Sequence, residues 1–350
     1  MSYEEHINVP FIVWEITNRC QMECLHCFNS YNKKRDLPHD QLIKIARELN
    51  QEGFSITISG GEPFLSSSLL EIVQCFDKIE SLDVQTNGLL LKKHLDDFLD
   101  CISPKINYTS IGLPLDGGTA ETHNKIRVGV SNHFQTVLEC FELLQTSEKV
   151  YSYATTCFNK LNINEFDQIL ELLNGFGAAW VSGLMMPTGS ALENMDLILN
   201  TQEISTWLIK LLNNFNPLTT YPYEIIPYPT FKSPSFFLPH SCMILNDVSF
   251  KIDTSGTCHL CCFFNSPFAQ VPQDNLETVL TLRKKSEMYS KVEKIVEKSN
   301  PQCKNCQYNK VCNNCPGYQL HDLPSKYFSC PLNSLPEIRK LLDQVIEENA

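Results

Sequence analysis

No apolar run in this 350-residue chain approaches the ~20 residues needed to cross a bilayer. The start also lacks the basic-then-apolar order of a signal peptide, because residues 1–10 are acidic and polar. Both absences lead to the expectation of a cytoplasmic protein without a membrane partner. Positive charge is scarce: 28 Lys and Arg stand against 40 Asp and Glu, a net charge of −12. No dense basic cluster offsets this, so a nucleic-acid partner is not expected. Internal repeats and low-complexity tracts are missing too. What remains is a globular chain long enough for roughly two domains.

Cysteine is what the chain does have, sixteen in all. In a reducing compartment, clustered thiols bind metal more often than they form disulfides. Three cysteines fall within residues 20–27 and nine between 242 and 330. Cys75, Cys101, Cys140 and Cys157 are scattered singly in apolar surroundings and read as small buried hydrophobes.

Residues 10–215 alternate β-rich runs with helical patterns. Strands are expected over 11–16, 54–59, 82–86, 106–113, 151–156 and 179–185. Helices are expected over 37–50, 66–77, 91–99, 134–145, 165–173 and 201–213, with Pro38 in the first turn of the first helix. Six strand–helix units in series predict an α/β fold, an open partial (β/α)6 barrel whose strand-end loops share one rim. Six prolines in residues 216–240 read as an ordered linker. Residues 241–334 are rich in cysteine and turn residues, a composition that points to folding around metal. An amphipathic helix is expected over 335–346.

Cys20-x3-Cys24-x2-Cys27 directly follows the first strand. Three thiolates on one short loop suit three irons of a [4Fe-4S] cube and leave the fourth iron open to a small chelator. The alternative is a zinc or structural site with a distant fourth ligand, to which His26 lends weight. The second strand ends in Gly60-Gly61-Glu62-Pro63. Paired glycines let backbone approach a ligand, and the carboxylate can accept from an ammonium.

Here the sequence resembles the radical S-adenosylmethionine (radical SAM) superfamily over nearly its whole length. The resemblance implies that Cys20, Cys24 and Cys27 hold the catalytic [4Fe-4S] cluster, and that Gly60, Gly61, Glu62 and Pro63 meet the methionine amino group of S-adenosyl-L-methionine. Thr86-Asn87-Gly88 looks like the family's next rim motif, and Leu115-Asp116-Gly117 with His123 and Arg127 like the one after it. Relatives carry Ser where this chain has Pro114, and Gly118 looks inserted. Asn87, Asp116 and Asn162 are thereby cofactor-side candidates. Arg127 is a candidate for the carboxylate through its fork of donors.

The C-terminal pattern is Cys242-x13-Gly256-x4-Cys261, then Cys303-x2-Cys306-x5-Cys312-x2-Cys315, then Cys330. Two C-x2-C pairs alone read equally as a zinc ribbon or as iron–sulfur ligands. Behind the first motif the arrangement resembles the SPASM extension with two auxiliary [4Fe-4S] clusters. That implies Cys303, Cys306, Cys312 and Cys330 at the distal cluster and Cys242, Cys261 and Cys315 at the proximal one. An open iron ranks first for the proximal cluster, Cys258 as an extra ligand second and Cys262 third.

The resemblance implies reductive cleavage of S-adenosylmethionine to a 5′-deoxyadenosyl radical, which abstracts hydrogen from a peptide or protein such as a ribosomally made precursor. Crosslinking, oxidation and epimerisation are the outcomes in that group. A flavodoxin- or ferredoxin-like electron donor is the expected partner. About ten residues precede the first strand, so the expectation is either a separate leader-binding protein that presents the peptide or recognition by the linker and C-terminal region. The alternatives are a small substrate, such as an aminoglycoside or nucleoside, and a non-catalytic iron–sulfur or zinc protein.

Overall fold

The computed structural model describes residues 11–28, 35–214, 224–226, 230–231, 249–263, 265–297, 312–313 and 340. The chain enters through β1 (Phe11–Glu15) and α1 (His39–Leu49), then β2 (Ser55–Ser59) and α2 (Leu69–Gln74). Next come β3 (Ser81–Gln85), α3 (Leu91–Cys101), β4 (Tyr108–Pro114), α4 (Ala120–Ile126) and α5 (His133–Gln145). They are followed by β5 (Tyr151–Phe158), α6 (Phe166–Phe176), β6 (Ala179–Leu184), α7 (Thr201–Asn213) and β7 (Glu224–Ile226). Beyond β8 (Thr230–Phe231) lie β9 (Phe250–Ile252), β10 (Thr257–His259), β11 (Pro267–Gln270), α8 (Leu276–Lys285), α9 (Glu287–Glu297) and β12 (Cys312–Asn313).

Among the described residues, ten strands form one open sheet in the order β11-β10-β9-β1-β2-β3-β4-β5-β6-β7. Strands β1 to β7 pair in parallel, as strand–helix repeats require, because the chain must cross back over one face between strands. The expected six units are all present. Pro38 stands at the N-cap of α1 and not in its first turn. Helix α4 is absent from the sequence reading: its seven residues follow the cap Thr119, whose hydroxyl accepts from the Thr122 amide. Among the described residues, strand β7 ends the sheet, a place that tolerates nearby proline in the sequence.

The C-terminal region departs most from the sequence reading. It adds β9, β10 and β11 to the far side of β1, and β9 runs parallel to β1 with Val13 opposite Lys251. Residues 249–297 also contribute Phe250, Ile252, Cys258, Val271 and Val279 to the main core. This part of the chain thus extends the barrel sheet through ordinary apolar packing.

Alternation gives the sheet two unlike faces. Ile12 and Trp14, Ile56 and Ile58, Leu82 and Val84, Ile111 and Leu113, Ala154 and Phe158, and Trp180 and Leu184 enter the core under the helices. Each fully buried large side chain contributes roughly 1.5–3 kcal/mol. Residues of opposite parity line the concave face: Glu15, Thr57, Ser59, Asp83, Gln85, Ser110, Tyr153, Thr155, Cys157 and Lys251. A parallel sheet covered by helices on both faces is apolar on both. This one carries many polar side chains on its concave face.

Candidate active site on the strand rim

The loop after β1 is stitched to its neighbours by backbone. The Gly61 amide donates to the Thr17 carbonyl at 2.7 Å and the Glu62 amide to the Arg19 carbonyl at 2.8 Å. A Cβ on Gly61 would lie 2.3 Å from the Arg19 oxygen, and one on Gly60, where φ is +135°, 2.5 Å from the Thr17 oxygen. The glycine pair therefore makes room for the cysteine loop's own backbone, a use not read from the sequence. Further along, the Glu23 and Leu25 amides donate to the Val128 and Ile126 carbonyls, and the Cys27 carbonyl accepts from the Ser190 amide at 2.8 Å.

Cys20 is exposed, Cys24 buried and Cys27 half-buried. Burial pushes the Cys24 thiol up to about 11; Arg127 opposes this, while the charges of Cys27, Asp116 and Cys20 reinforce it. The three thiols thus lie within reach of one another's charge. Among the described residues, no three His, Cys, Asp or Glu side chains close on a single-ion site. A cube takes one thiolate per iron, and three thiols on one loop suit three of its irons. The His26 ring, the residue that favoured zinc, bonds to Asp116 Oδ2 at 2.9 Å.

Asp116 is the hub beside this loop. It is fully buried, Oδ2 accepts from Arg127 Nε at 2.6 Å as well as from His26, and Oδ1 accepts from the Cys157 amide at 2.6 Å. Burial works to raise its carboxyl, but Arg127 and His26 hold it well below the usual carboxylate range. Arg127 Nη1 also reaches Cys24 Sγ at 3.8 Å. Asn162 Nδ2 donates to the carbonyls of Asp116 and Cys157, at 3.0 and 3.1 Å, joining two rim loops. Gly118 packs against α6, where a Cβ would sit 2.3 Å from that of Gln168.

Glu62 is likewise fully buried. Its Oε1 accepts from the Phe64 amide and the Thr86 hydroxyl, and its Oε2 from the Asn87 amide at 2.7 Å. The carboxylate thus joins the second rim loop to the third, a role beyond the expected contact with an ammonium. Pro63 opens the short 3-10 turn that this cap begins. Asn87 Nδ2 approaches Cys20 Sγ at 3.8 Å and Gln21 Oε1 at 3.2 Å.

Sequence reasoning missed a histidine pair here. The Asp116 amide donates to His123 Nδ1 at 3.1 Å, His123 Nε2 meets His133 Nδ1 at 2.8 Å, and His133 Nε2 meets the Asn87 carbonyl at 2.8 Å. Burial lowers His123 to about 3 and His133 to about 4. The Leu-Asp-Gly…His…Arg spacing pointed to His123, but nothing in the sequence pairs it with His133.

Two cysteine readings change. Cys157, read as a plain core residue, ends the concave face of β5 and feels the charges of Asp116, Arg127 and Cys24. Cys258, ranked second as a cluster ligand, is fully buried in the main core on the strand face opposite Lys251. Cys261 and Cys262 are half-buried. Their loop meets the Cys20–Cys27 loop through Phe28 and Phe263, whose ring centroids are 6.1 Å apart. Lys251 sits at this junction, 2.9 Å from Glu15 Oε1 and 5.7 Å from the Phe28 ring centroid. Burial acts to lower its ammonium, but Glu15 and then Cys262 hold it above its ordinary range. Cys242, Cys303, Cys306, Cys315 and Cys330 lie outside the described residues, as does the helix expected over 335–346 apart from Lys340. Cys312 is described only as backbone in β12, which pairs with β8.

Residues 14–173 match the radical SAM superfamily. This segment is a radical SAM domain. It spans the cysteine loop, the Gly-Gly-Glu-Pro turn and the Asp116 hub, and its superfamily uses a [4Fe-4S] cluster and S-adenosylmethionine. A probable GTP 3′,8-cyclase from Archaeoglobus fulgidus is 26% identical over 166 residues, covering 46% of this chain and 53% of that protein. The mycofactocin maturase MftC of Mycolicibacterium smegmatis is 25% identical over 218 residues, covering 59% and 54%. The chain thus spans about half the length of these curated relatives. Among solved structures, anSMEcpe with bound AdoMet and the Cp18Cys peptide has a TM-score of 0.71 at 16% identity, covering 97% and 98% of the two chains. Streptococcus suis SuiB bound to precursor peptide SuiA has 0.66 at 14%, covering 95% and 78%. At these identities the solved structures show that the fold extends past the radical SAM domain. Among the described residues, no helix is long and apolar enough to cross a membrane.

Proposed function

We propose that this radical SAM enzyme takes a hydrogen atom from a C–H bond of a peptide or protein. The observation that carries the chemistry is the three-thiol loop on the rim, held against Gly60 and Gly61 and lying beside Arg127 and Asp116. The peptide reading draws on the bound peptides of the two solved structures and on the maturase relative. Cys20, Cys24 and Cys27 would hold the cluster, which together with bound S-adenosylmethionine supplies a carbon radical by one-electron cleavage. The loop backbone and its glycine contacts orient the thiols. Arg127, fixed by Asp116, keeps guanidinium donors for the methionine carboxylate. Asn87 and Asn162 complete the cofactor side of the rim.

Cys303, Cys306, Cys312 and Cys330 would hold a distal auxiliary cluster, and Cys242, Cys261 and Cys315 a proximal one. The domain division at 1–215, 216–240, 241–334 and 335–350, the cytoplasmic location and a flavodoxin- or ferredoxin-like electron donor belong to the same reading. Anaerobic reconstitution tests it. The wild type should form 5′-deoxyadenosine under reduction and bind roughly twelve irons per chain. Cys24→Ala should lose the nucleoside product and keep the C-terminal iron. Wild-type product from that variant would refute the loop assignment. The cyclase relative supports a second reading, a nucleotide substrate. Stimulation of 5′-deoxyadenosine formation by GTP and not by peptides would favour it.

A further inference from the structure

The His123–His133 pair links two groups that approach the cysteine loop. His123 Nδ1 accepts from the Asp116 amide, so its proton sits on Nε2 and is donated to His133 Nδ1. His133 then carries its proton on Nε2 and donates it to the Asn87 carbonyl. One pair of tautomers satisfies all three bonds, and both rings are fully buried. The rings lie 5.0 Å apart, and Phe134 packs edge-on against His123. His123 belongs to α4 and His133 opens α5.

At one end, Asp116 fixes Arg127, which reaches Cys24 Sγ. At the other, Asn87 reaches Cys20 Sγ. Two of the three thiols therefore have a neighbouring donor, and the histidine pair sets the distance between those donors. Hydrogen bonds to the sulfurs of an iron–sulfur cluster change its potential.

We infer that His133, acting through His123, is a positioning residue that holds Asn87 against Cys20 and Arg127 against Cys24. The inference rests on the proposed reading of the loop as the cluster site. His133 touches no thiol. Its action passes through the Asn87 backbone and the Asp116 loop. The charged groups around the pair are Asp116 and Arg127, with His26 across the hub. Protonating His133 would set its Nδ1–H against the His123 N–H and break the chain of bonds.

The test uses the full chain before and after cluster loading. His133→Phe should bind iron at the catalytic loop as the wild type does. It should shift the electron paramagnetic resonance signal and the reduction potential of that cluster, and slow 5′-deoxyadenosine formation roughly tenfold to a hundredfold. His133→Gln can accept from His123 and donate to Asn87 through one amide, so it should restore the wild-type signal and most of the rate. Before loading, 15N spectra should show both histidines neutral and protonated on Nε2. Cys20 should alkylate at a different rate in His133→Phe. A wild type that binds no cluster at this loop would refute the site reading, and the nitrogen spectra and alkylation rate would still test the pair. An unchanged signal, potential and alkylation rate in His133→Phe, or a charged histidine at neutral pH, would overturn the inference.

Discussion

The Glu62 carboxylate accepts from three donors on two loops, so replacing it with Gln turns one acceptor atom into a donor. The new amide would face the Asn87 or Phe64 N–H. We expect Glu62→Gln to destabilise the fold by about 1–3 kcal/mol, read as a lower urea midpoint. Binding of S-adenosylmethionine should weaken more than iron loading does. The histidine pair gives a second prediction at this scale. Burial lowers both pKa values from the ordinary 6.5, His123 to about 3 and His133 to about 4. An unfolded chain takes up these protons near 6.5 and the folded one does not. Their stabilising effect is therefore complete above 6.5 and declines as the pH falls from there through about 4 and then about 3. Urea midpoints between about pH 7 and about pH 4 should fall more steeply for the wild type than for His133→Phe.

At the scale of elements, the glycine turn after β2 carries the sharpest expectation. Gly61→Ala would place a methyl group 2.3 Å from a backbone oxygen of the cysteine loop, which cannot rotate away. We expect a cost of roughly 1–3 kcal/mol. Iron bound at the Cys20–Cys27 loop should be lost, while the far-ultraviolet circular dichroism is retained. Motif spacing alone identified this turn but not the backbone packed against it, because a sequence does not show which backbone lies across a turn. The long elements were legible for a physical reason. Leu42, Ile45, Ala46 and Leu49 repeat at the helical period along α1, and the six inner strands are apolar on their core face. Strands β9 and β10, three residues each, are too short to show a period. The thiol loop could be read because its ligands are neighbours in sequence. His133, Cys157 and the Glu15–Lys251 pair could not, because the fold alone brings their partners together.

In the whole molecule, the Glu15–Lys251 bond joins the first strand to residues 236 positions later. Glu15 is fully buried and the Lys251 side chain is 11% exposed. Lys251→Met would leave a buried carboxylate without its counter-charge and should cost about 3–5 kcal/mol in urea unfolding. Adding Glu15→Leu should recover most of that loss. The parallel pairing of β9 with β1 has a consequence for synthesis. Phe-Ile-Val-Trp-Glu of β1 is made before the strand that covers its outer edge, which follows only after more than two hundred further residues. Until then an apolar edge stays open, the kind of edge that recruits strands from other chains. A nascent chain halted after α7 would already carry the cysteine loop beside that open edge. Chains ending at residue 214 should therefore sediment as aggregates, and the barrel should become soluble only once β9 has emerged to cap its own first strand.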